Sequence, residues 1–145
     1  MNNVGIIGFG KTGRIRANAI NSNGKGRIVS VFDKDKSMDF EDYQIVKTPD
    51  DIFNNPLIDA VFICTPNYLN KEFTIKGLKA GKHVFCEKPP AFTASDVKDI
   101  IEVEKLSGKK LMYGFNHRHH TSIKYMKSLI DSGNFGKILW MRGRY

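Results

Sequence analysis

Two kinds of apolar pattern alternate along the chain. Short β-branched and aromatic runs predict strands, and they occur at residues 4–7, 28–32, 45–46, 58–63, 83–85 and 110–113. Continuous apolar runs of this kind are typical of strands that are buried on both faces of a parallel sheet. Segments with helical spacing separate the runs. The sequence therefore predicts an α/β fold in which right-handed strand–helix–strand units build a doubly wound parallel sheet.

The clearest helix prediction covers residues 93–107. Thr93 and Asp96 have the spacing of a capping box, and Gly108 stands where a glycine commonly ends a helix. Residues 69–80 repeat the same pattern. Helices are therefore predicted for both segments.

The segment between the second and third strands has no helical period. Residues 33–39 are mostly polar, so there is room for little or no crossover helix. An irregular and flexible loop is expected there.

The last 30 residues are predicted to begin a second domain. Residues 121–132 have helical spacing, and the apolar run at residues 138–141 predicts a strand. Because about 40 residues are usually needed to fold unaided, we place residues 1–115 in one domain and residues 116–145 in an incomplete second domain. A lone strand must find a partner, so we expect the C-terminal strand to be disordered or to pair with another copy, giving a homo-oligomer.

The composition excludes several classes of protein. With 41% hydrophobic, 11% aromatic and 26% charged residues, the chain has ordinary globular values, which argue against disorder, collagen and coiled coil. No run approaches the roughly 18 apolar residues of a membrane span, and no secretory signal precedes the first strand. We therefore expect no membrane partner. Cys64 and Cys86 are too few for a disulfide scaffold, so we expect buried free thiols and a cytoplasmic location.

The net charge of +8 is concentrated towards one end, because residues 101–145 hold nine basic and three acidic side chains. Such a segment is compatible with nucleic-acid binding, with an exposed surface or with an acidic partner. No DNA- or RNA-binding motif is recognisable, so nucleic acid is not an expected partner. Three histidines within one turn cannot converge on one tetrahedral ion, so no metal site is predicted at His117, His119 and His120.

A glycine-rich turn with the spacing G-x-G-x-x-G consists of Gly8, Phe9, Gly10, Lys11, Thr12 and Gly13. It follows a predicted strand and opens a predicted helix, and Asp33 ends the next strand 20 residues after Gly13. Gly8 permits the tight turn, Gly10 leaves the backbone open to a pyrophosphate, and Gly13 lets the helix approach the strand. The N-terminus of the helix offers N–H groups and a positive dipole to phosphates. The alternative is a glycine-rich turn without a ligand.

Asp33 bears on which dinucleotide is bound. Its carboxylate can accept hydrogen bonds from an adenosine ribose, which favours NAD, and it would repel the 2′-phosphate of NADP. Lys34 and Lys36 lie nearby in the sequence and could soften that repulsion. NAD is therefore the expected cofactor, with NADP as the alternative.

Two further strand ends carry unusual residues. The fourth predicted strand ends in Cys-Thr-Pro-Asn at residues 64–67, and the fifth ends in Cys-Glu-Lys-Pro-Pro at residues 86–90. The carboxyl ends of strands face the ligand crevice in a doubly wound sheet, and proline keeps the preceding residue extended, here Thr65 and Lys88. A lysine fixed at this edge can donate to a substrate hydroxyl or carbonyl. The alternative is an exposed lysine in a proline-stiffened turn.

These motifs occur together in one order. The glycine turn and the acidic residue are followed by Thr-Pro-Asn at 65–67, Ala-Gly-Lys-His-Val at 80–84, Glu-Lys-Pro at 87–89, Gly-Phe-Asn at 114–116 with Arg118, and Phe-Gly-Lys-Ile at 135–138. Over essentially the whole chain this combination resembles the Gfo/Idh/MocA oxidoreductases, which include glucose–fructose oxidoreductase and inositol dehydrogenase. The resemblance implies an N-terminal Rossmann domain that binds NAD or NADP, followed by an α/β substrate domain with a large open sheet.

The resemblance also implies a function. Family members transfer hydride between nicotinamide and a ring carbon of a sugar, a cyclitol or a nucleotide-linked sugar. The chain is therefore interpreted as the cofactor-binding portion of such an NAD(P)-dependent dehydrogenase, with a small sugar-like substrate. The family's substrate domain would follow Tyr145, so the 145-residue chain by itself is expected to be inactive. A non-catalytic protein that senses the dinucleotide, or a decayed enzyme, is the alternative.

Carried over by position, the resemblance implies a role for each site residue. The pyrophosphate would be lined by Gly8, Gly10, Lys11 and Thr12. The middle of the cofactor would lie along Thr65, Pro66 and Asn67. Asp33 would bind the adenosine ribose, Glu87 would lie near the nicotinamide ribose, and Lys88 would polarise the reacting oxygen.

Two details of the strand ends concern this lysine and its neighbours. The Lys88–Pro89 bond resembles one that is often cis in the family, and a cis bond there would aim the lysine. The family often has a histidine three residues after the Asn of Thr-Pro-Asn, whereas this chain has Asn70. The role of that histidine is therefore not expected to carry over.

Overall fold

The computed structural model describes residues 1–35, 37 and 42–143. They form a six-stranded sheet from β1 (Asn2–Ile7), β2 (Gly26–Phe32), β3 (Gln44–Ile45), β4 (Ala60–Ile63), β5 (His83–Cys86) and β6 (Leu111–Tyr113). The strand order is β3-β2-β1-β4-β5-β6, and every neighbouring pair is parallel. The order reverses between β1 and β4, so the predicted doubly wound sheet is confirmed.

The described residues contain five α-helices: α1 (Lys11–Asn23), α2 (Pro49–Phe53), α3 (Asn70–Lys79), α4 (Ala94–Ser107) and α5 (Thr121–Asp131). Short 3₁₀ helices precede two of them, at Asn67–Leu69 and Asn116–His119. The helices predicted after the glycine turn and at residues 69–80, 93–107 and 121–132 are all present. Their ends lie within one or two residues of the predicted bounds.

Successive side chains of β1 point to opposite faces of the sheet, and both faces of this central strand are packed. Ile6 packs on one face, in a cluster with Ala17 and Ile20 of α1. Ile7 packs on the other face, in a cluster that includes Phe73 of α3. All the strands are parallel, so their carboxyl ends lie at one edge of the sheet, and the turns that follow them lie there.

α4 begins and ends where its sequence predicts. The Thr93 hydroxyl accepts a hydrogen bond from the Asp96 amide at 3.1 Å, and the Asp96 carboxylate accepts one from the Thr93 amide at 3.2 Å. Hydrogen bonds from Lys71 and Thr93 hold the pKa of Asp96 below its usual value. Gly108 follows the helix with φ of 63°, a left-handed conformation that glycine adopts at little cost.

The sequence analysis missed α2. Thr48 and Asp51 form a second capping box, and Pro49 occupies the first helical position. These signals are visible in the sequence, but a helix of five residues is too short to show an apolar period. Its Ile52 and Phe53 are buried in the core.

The strand predicted at residues 138–141 is wrong. Residues 138–141 have irregular backbone, and Leu139 is 91% exposed. A strand is stable only when its N–H and C=O groups pair with a neighbour, and no strand of the described residues pairs with this segment. Apolar side chains alone therefore do not make it a strand. Pairing with another copy of the chain stays a prediction.

The loop predicted over residues 33–39 is described only in part. Lys36 and residues 38–39 lie outside the described residues. Its described part continues from β2 through irregular backbone with a bend at Lys34.

The chain divides into two compact units, residues 1–114 and residues 115–145. The first unit contains the sheet and helices α1 to α4, and the second contains α5. Across the described part of the chain, no helix combines the length and the apolar character that crossing a membrane requires.

Candidate functional site

The glycine turn joins β1 to α1 at the carboxyl edge of the sheet. Gly8 has φ of 87°, and a Cβ there would lie 2.6 Å from the Cys64 carbonyl oxygen, at the end of β4. A Cβ on Gly13 would lie 2.1 Å from the Gly8 carbonyl oxygen. Only glycine fits at either position, so the first turn of α1 lies directly against the end of β1.

Gly10 has a different environment from the other two glycines of the motif. It is extended, with φ of −67° and ψ of −159°, and a Cβ there would meet no atom within 4 Å. It occupies the N-cap of α1, where no side chain caps the helix, and the exposed Lys11 and Thr12 follow it. The first N–H groups of an α-helix have no partner within the helix, and at α1 the space beside Gly10 is open, which suits an anion.

Asp33 lies against the glycine turn. Its Oδ2 accepts a hydrogen bond from the Phe9 amide at 2.5 Å, and its Oδ1 accepts one from the Asp35 amide at 2.9 Å. The Phe9 side chain points into the core, where it is 4% exposed and packs edge-to-face on Tyr43 with ring centroids 5.5 Å apart. Phe9 therefore contributes backbone to the turn, and the acidic side chain that ends β2 lies at its edge.

The turn after β4 brings Thr65, Pro66 and Asn67 to the same edge. Cys64 donates its amide to the Ile7 carbonyl at 2.8 Å, which holds this turn beside the glycine turn. The Thr65 hydroxyl is buried and has no hydrogen-bond partner among the described residues. Pro66 and Asn67 are exposed. A buried hydroxyl of this kind is a polar group that a ligand can satisfy.

Glu87 follows β5 and is buried, with Arg16 of α1 as its partner. Arg16 Nε donates to Glu87 Oε1 at 2.7 Å, and its Nη2 lies 2.5 Å from the same oxygen. The guanidinium also lies over the Phe85 ring, 5.0 Å from the centroid. A Cβ on Gly114 would lie 2.8 Å from Glu87 Oε2, so the glycine after β6 makes room for the carboxylate. This ion pair joins α1 to the end of β5.

Lys88 is exposed at the same edge, and the Lys88–Pro89 peptide bond is cis, as the resemblance implies. No described residue forms an ion pair or side-chain hydrogen bond with Lys88. The preceding backbone is fixed, because the Glu87 amide donates to the Ile63 carbonyl at 2.9 Å. The ammonium group is thus available to a ligand at the edge that carries the glycine turn.

Cys64 and Cys86 are free thiols. Burial is the main cause that raises the pKa of each to about 12, and the nearby Glu87 charge raises both pKa values further. Both thiols are therefore neutral at physiological pH, and neither is an activated nucleophile. The expectation of buried free thiols is confirmed for Cys86, whereas Cys64 is a free thiol that is half-buried.

The carboxyl edge of the sheet thus carries three features. They are the open glycine turn at the N-terminus of α1, Asp33 beside that turn, and the exposed Lys88 after β5. A family model described as an oxidoreductase family with an NAD-binding Rossmann fold matches residues 2–115. The chain belongs to the Gfo/Idh/MocA family of oxidoreductases.

Curated members of the family are similar to this chain over part of their length. A myo-inositol 2-dehydrogenase of Thermotoga maritima is 31% identical over 140 residues, which cover 92% of this chain and 42% of the relative. A 2,7-anhydro-N-acetylneuraminate hydratase of Escherichia coli is 34% identical over 142 residues, covering 96% of this chain and 38% of the relative. The chain therefore spans about two fifths of the length of these relatives.

Solved structures are likewise similar to most of this chain and match it over only part of their own length. A probable dehydrogenase from Thermotoga maritima superposes with a TM-score of 0.84 at 30% identity, covering 93% of this chain and 42% of that one. An NAD-binding protein from Listeria innocua superposes with a TM-score of 0.83 at 28% identity, covering 94% of this chain and 42% of that one. These neighbours share the fold of this chain.

The residues present fit the dinucleotide that the family binds. The open space at Gly10 leaves the N–H groups of α1 accessible to a pyrophosphate. The buried, unpartnered Thr65 hydroxyl and the Asp33 carboxylate lie beside the same turn. These features of the Gfo/Idh/MocA domain are compatible with a bound dinucleotide at the glycine turn.

The sequence analysis missed Arg16, because no pattern pairs a helix arginine with a carboxylate 71 residues away. A positional signal exists: Arg16 lies three residues after Gly13, so both occupy the side of α1 that faces the sheet. The role of Gly114 was also missed. Its position in the family motif was recognised, but its contact with Glu87 appears only when β5 and β6 are paired.

The first testable prediction concerns the glycines. Gly13→Ala is expected to lower the free energy of unfolding by about 3 kcal/mol, because its Cβ would collide with the Gly8 carbonyl and force the backbone apart. Gly10→Ala is the matched control, and its expected cost is less than about 1 kcal/mol because its Cβ meets no atom. Urea denaturation followed by circular dichroism measures both. Equal losses would contradict the close-packing role of Gly13.

The second prediction concerns the ion pair. Arg16→Met is expected to lower the free energy of unfolding by about 3 kcal/mol, because Glu87 is left buried without its partner. Adding Glu87→Gln should recover part of that loss, which a double-mutant cycle in urea measures as a coupling energy. Arg27→Met, on an exposed arginine of β2, is the control and should cost little. Additive losses for the two site variants would refute the pairing.

Proposed function

We propose that this chain forms the nicotinamide-dinucleotide-binding part of an oxidoreductase that transfers hydride to or from a ring carbon of a sugar or cyclitol. One observation carries the proposal: the open N-terminus of α1 at Gly10 and the free Lys88 lie at the same carboxyl edge of the sheet. The first suits the phosphates of a dinucleotide, and the second suits an oxygen of the substrate.

NAD is the cofactor that Asp33 supports. The hydrogen bond from the Phe9 amide holds the Asp33 carboxylate beside the glycine turn, and the one from the Asp35 amide fixes it within its own loop. Each carboxylate oxygen keeps a further lone pair for a ribose hydroxyl. The negative charge would repel a 2′-phosphate at that place. NAD is therefore expected to bind more tightly than NADP.

Lys88 is the residue of this chain that would act on the substrate. Its ammonium can donate a hydrogen bond to the oxygen on the reacting carbon and stabilise negative charge that develops there. The bound nicotinamide supplies the hydride acceptor or donor. Glu87 is held by Arg16 and buried, so among Glu87 and Lys88 the lysine is the group that faces the edge.

The substrate class rests on the relatives. Their names specify myo-inositol and a 2,7-anhydro derivative of N-acetylneuraminate, which are both polyhydroxylated rings. A lysine side chain suits such substrates because their ring hydroxyls can accept its hydrogen bond. The relatives are longer than this chain, and the part of their sequence that this chain does not cover would supply the remaining substrate contacts.

The third prediction tests the cofactor. NADH should bind more tightly than NADPH, and Asp33→Ala should weaken NADH binding by about tenfold or more, because charge-assisted hydrogen bonds to the ribose are lost. The Kd values come from titrations that follow NADH and NADPH fluorescence. Asp42→Ala, on an exposed aspartate later in the same connection, is the control and should leave both Kd values unchanged. Tighter binding of NADPH, or no binding of NADH at millimolar concentration, would overturn this part of the proposal.

The fourth prediction tests the lysine, in a protein that includes the length the relatives have in addition. With NAD and myo-inositol as probes, Lys88→Met should lower kcat by about 100-fold or more, because the reacting oxygen loses the hydrogen bond that stabilises its developing negative charge as the hydroxyl gives up its proton. The Kd for NADH should stay within about twofold, since Lys88 does not belong to the pyrophosphate cradle. Lys98→Met, on an exposed lysine of α4, is the control. A kcat of Lys88→Met equal to that of the unchanged protein would refute the role of Lys88.

A further inference from the structure

Asn70 is a fully buried residue at the start of α3, next to the loop that carries Lys88. Its side chain is 0% exposed. Its Nδ2 donates to the Glu87 carbonyl oxygen at 2.9 Å and to the Pro89 carbonyl oxygen at 2.7 Å. These two carbonyls lie on either side of Lys88 in the chain. A single amide group therefore holds the backbone before and after the lysine.

The loop has few other hydrogen bonds that could give it a shape. Pro89 and Pro90 have no N–H, so they cannot donate to a neighbouring carbonyl. Among the described residues, no backbone N–H donates to the Pro89 carbonyl. Within the part of the chain that the structure describes, the Glu87 carbonyl receives, besides the Asn70 amide, a long contact of 3.4 Å from the Cys86 thiol. The Asn70 amide is thus the main internal support of this loop.

The chemistry of the site requires an amide rather than another group of similar size. Both atoms that face Nδ2 are carbonyl oxygens, so an aspartate would oppose acceptor to acceptor, and a leucine would leave both carbonyls without a donor. The Asn70 Oδ1 is buried on the other side and has no partner among the described residues. One oxygen is left unsatisfied while both N–H bonds are made, which indicates that the two donor bonds are what this position provides.

We propose that Asn70 is the positioning residue for Lys88, and this inference rests on the proposed function of that lysine. The two hydrogen bonds restrain the backbone on both sides of Lys88. The direction in which the Lys88 side chain leaves the backbone is thereby restricted. Asn70 touches neither substrate nor cofactor in this arrangement and acts through Lys88 alone. The position at which the family often has a histidine thus keeps a role in this chain, with an asparagine performing it.

The fifth prediction measures the order of the loop directly. In the 15N-labelled protein, the amide order parameter of Lys88 should be about 0.85, as for rigid backbone, and should fall below about 0.6 in Asn70→Leu. The amide of Glu87 should keep its order, because its hydrogen bond to Ile63 does not involve Asn70. Asn18→Leu makes the same chemical change at an exposed position of α1 and should leave Lys88 ordered.

A second variant guards against misfolding of the leucine variant. Asn70→Ser keeps the site polar, but its single short hydroxyl cannot reach both carbonyls, so Lys88 should again lose order. Asn70→His offers a ring N–H to one carbonyl and should restore part of the order. An unchanged order parameter of Lys88 in Asn70→Ser, or in a folded Asn70→Leu, would overturn the inference.

NADH titration of the same samples separates this inference from the proposed function. Since Asn70 contacts the lysine loop and not the glycine turn, the Kd for NADH should stay within about twofold in each Asn70 variant. If the unchanged protein fails to bind NADH, the proposed function fails, while the order of Lys88 still decides the role of Asn70. If NADH binds and Lys88 stays ordered without Asn70, the positioning role alone fails.

Discussion

The contact between Gly8 and Gly13 sets where α1 begins, and the rest of the site depends on that distance. With the helix so close to the end of β1, its N-terminus has no side-chain cap and lies beside the open space at Gly10. Asp33 then reaches the turn from the end of β2 and accepts the Phe9 amide. Any side chain at Gly8 or Gly13 would move the helix outward and separate these groups, because the nearest atoms are backbone that cannot yield.

The same helix placement connects the cofactor turn to the lysine loop. Arg16 lies three residues after Gly13 on the side of α1 that faces the sheet, and there it meets Glu87. Burying this pair costs desolvation, which good geometry and hydrogen bonding must offset, so its main consequence is orientation rather than net stability. Arg16 holds the residue before Lys88 from one side, and Asn70 holds the carbonyls around Lys88 from α3.

Much of the fold and part of the site were predictable from local patterns. The six strands and the helices after the glycine turn and at α3, α4 and α5 follow from apolar period, capping boxes and terminal glycines. The strand at residues 138–141 was predicted and is absent, because strand formation depends on a neighbour that local sequence does not describe. α2 was missed because five residues cannot show a period, although its capping box is present.

By itself the sequence determined the glycine turn, the acidic end of β2 and the order of the motifs, since each is a matter of spacing within a few residues or of recurring strand–helix units. The tertiary structure alone decided which distant groups meet: Arg16 with Glu87, Gly114 with the same carboxylate, and Asn70 with the carbonyls beside Lys88. These contacts join residues that lie 17 to 71 positions apart. They arise from the order in which parallel strands pair and from the faces that helices turn to the sheet, and no local pattern encodes either.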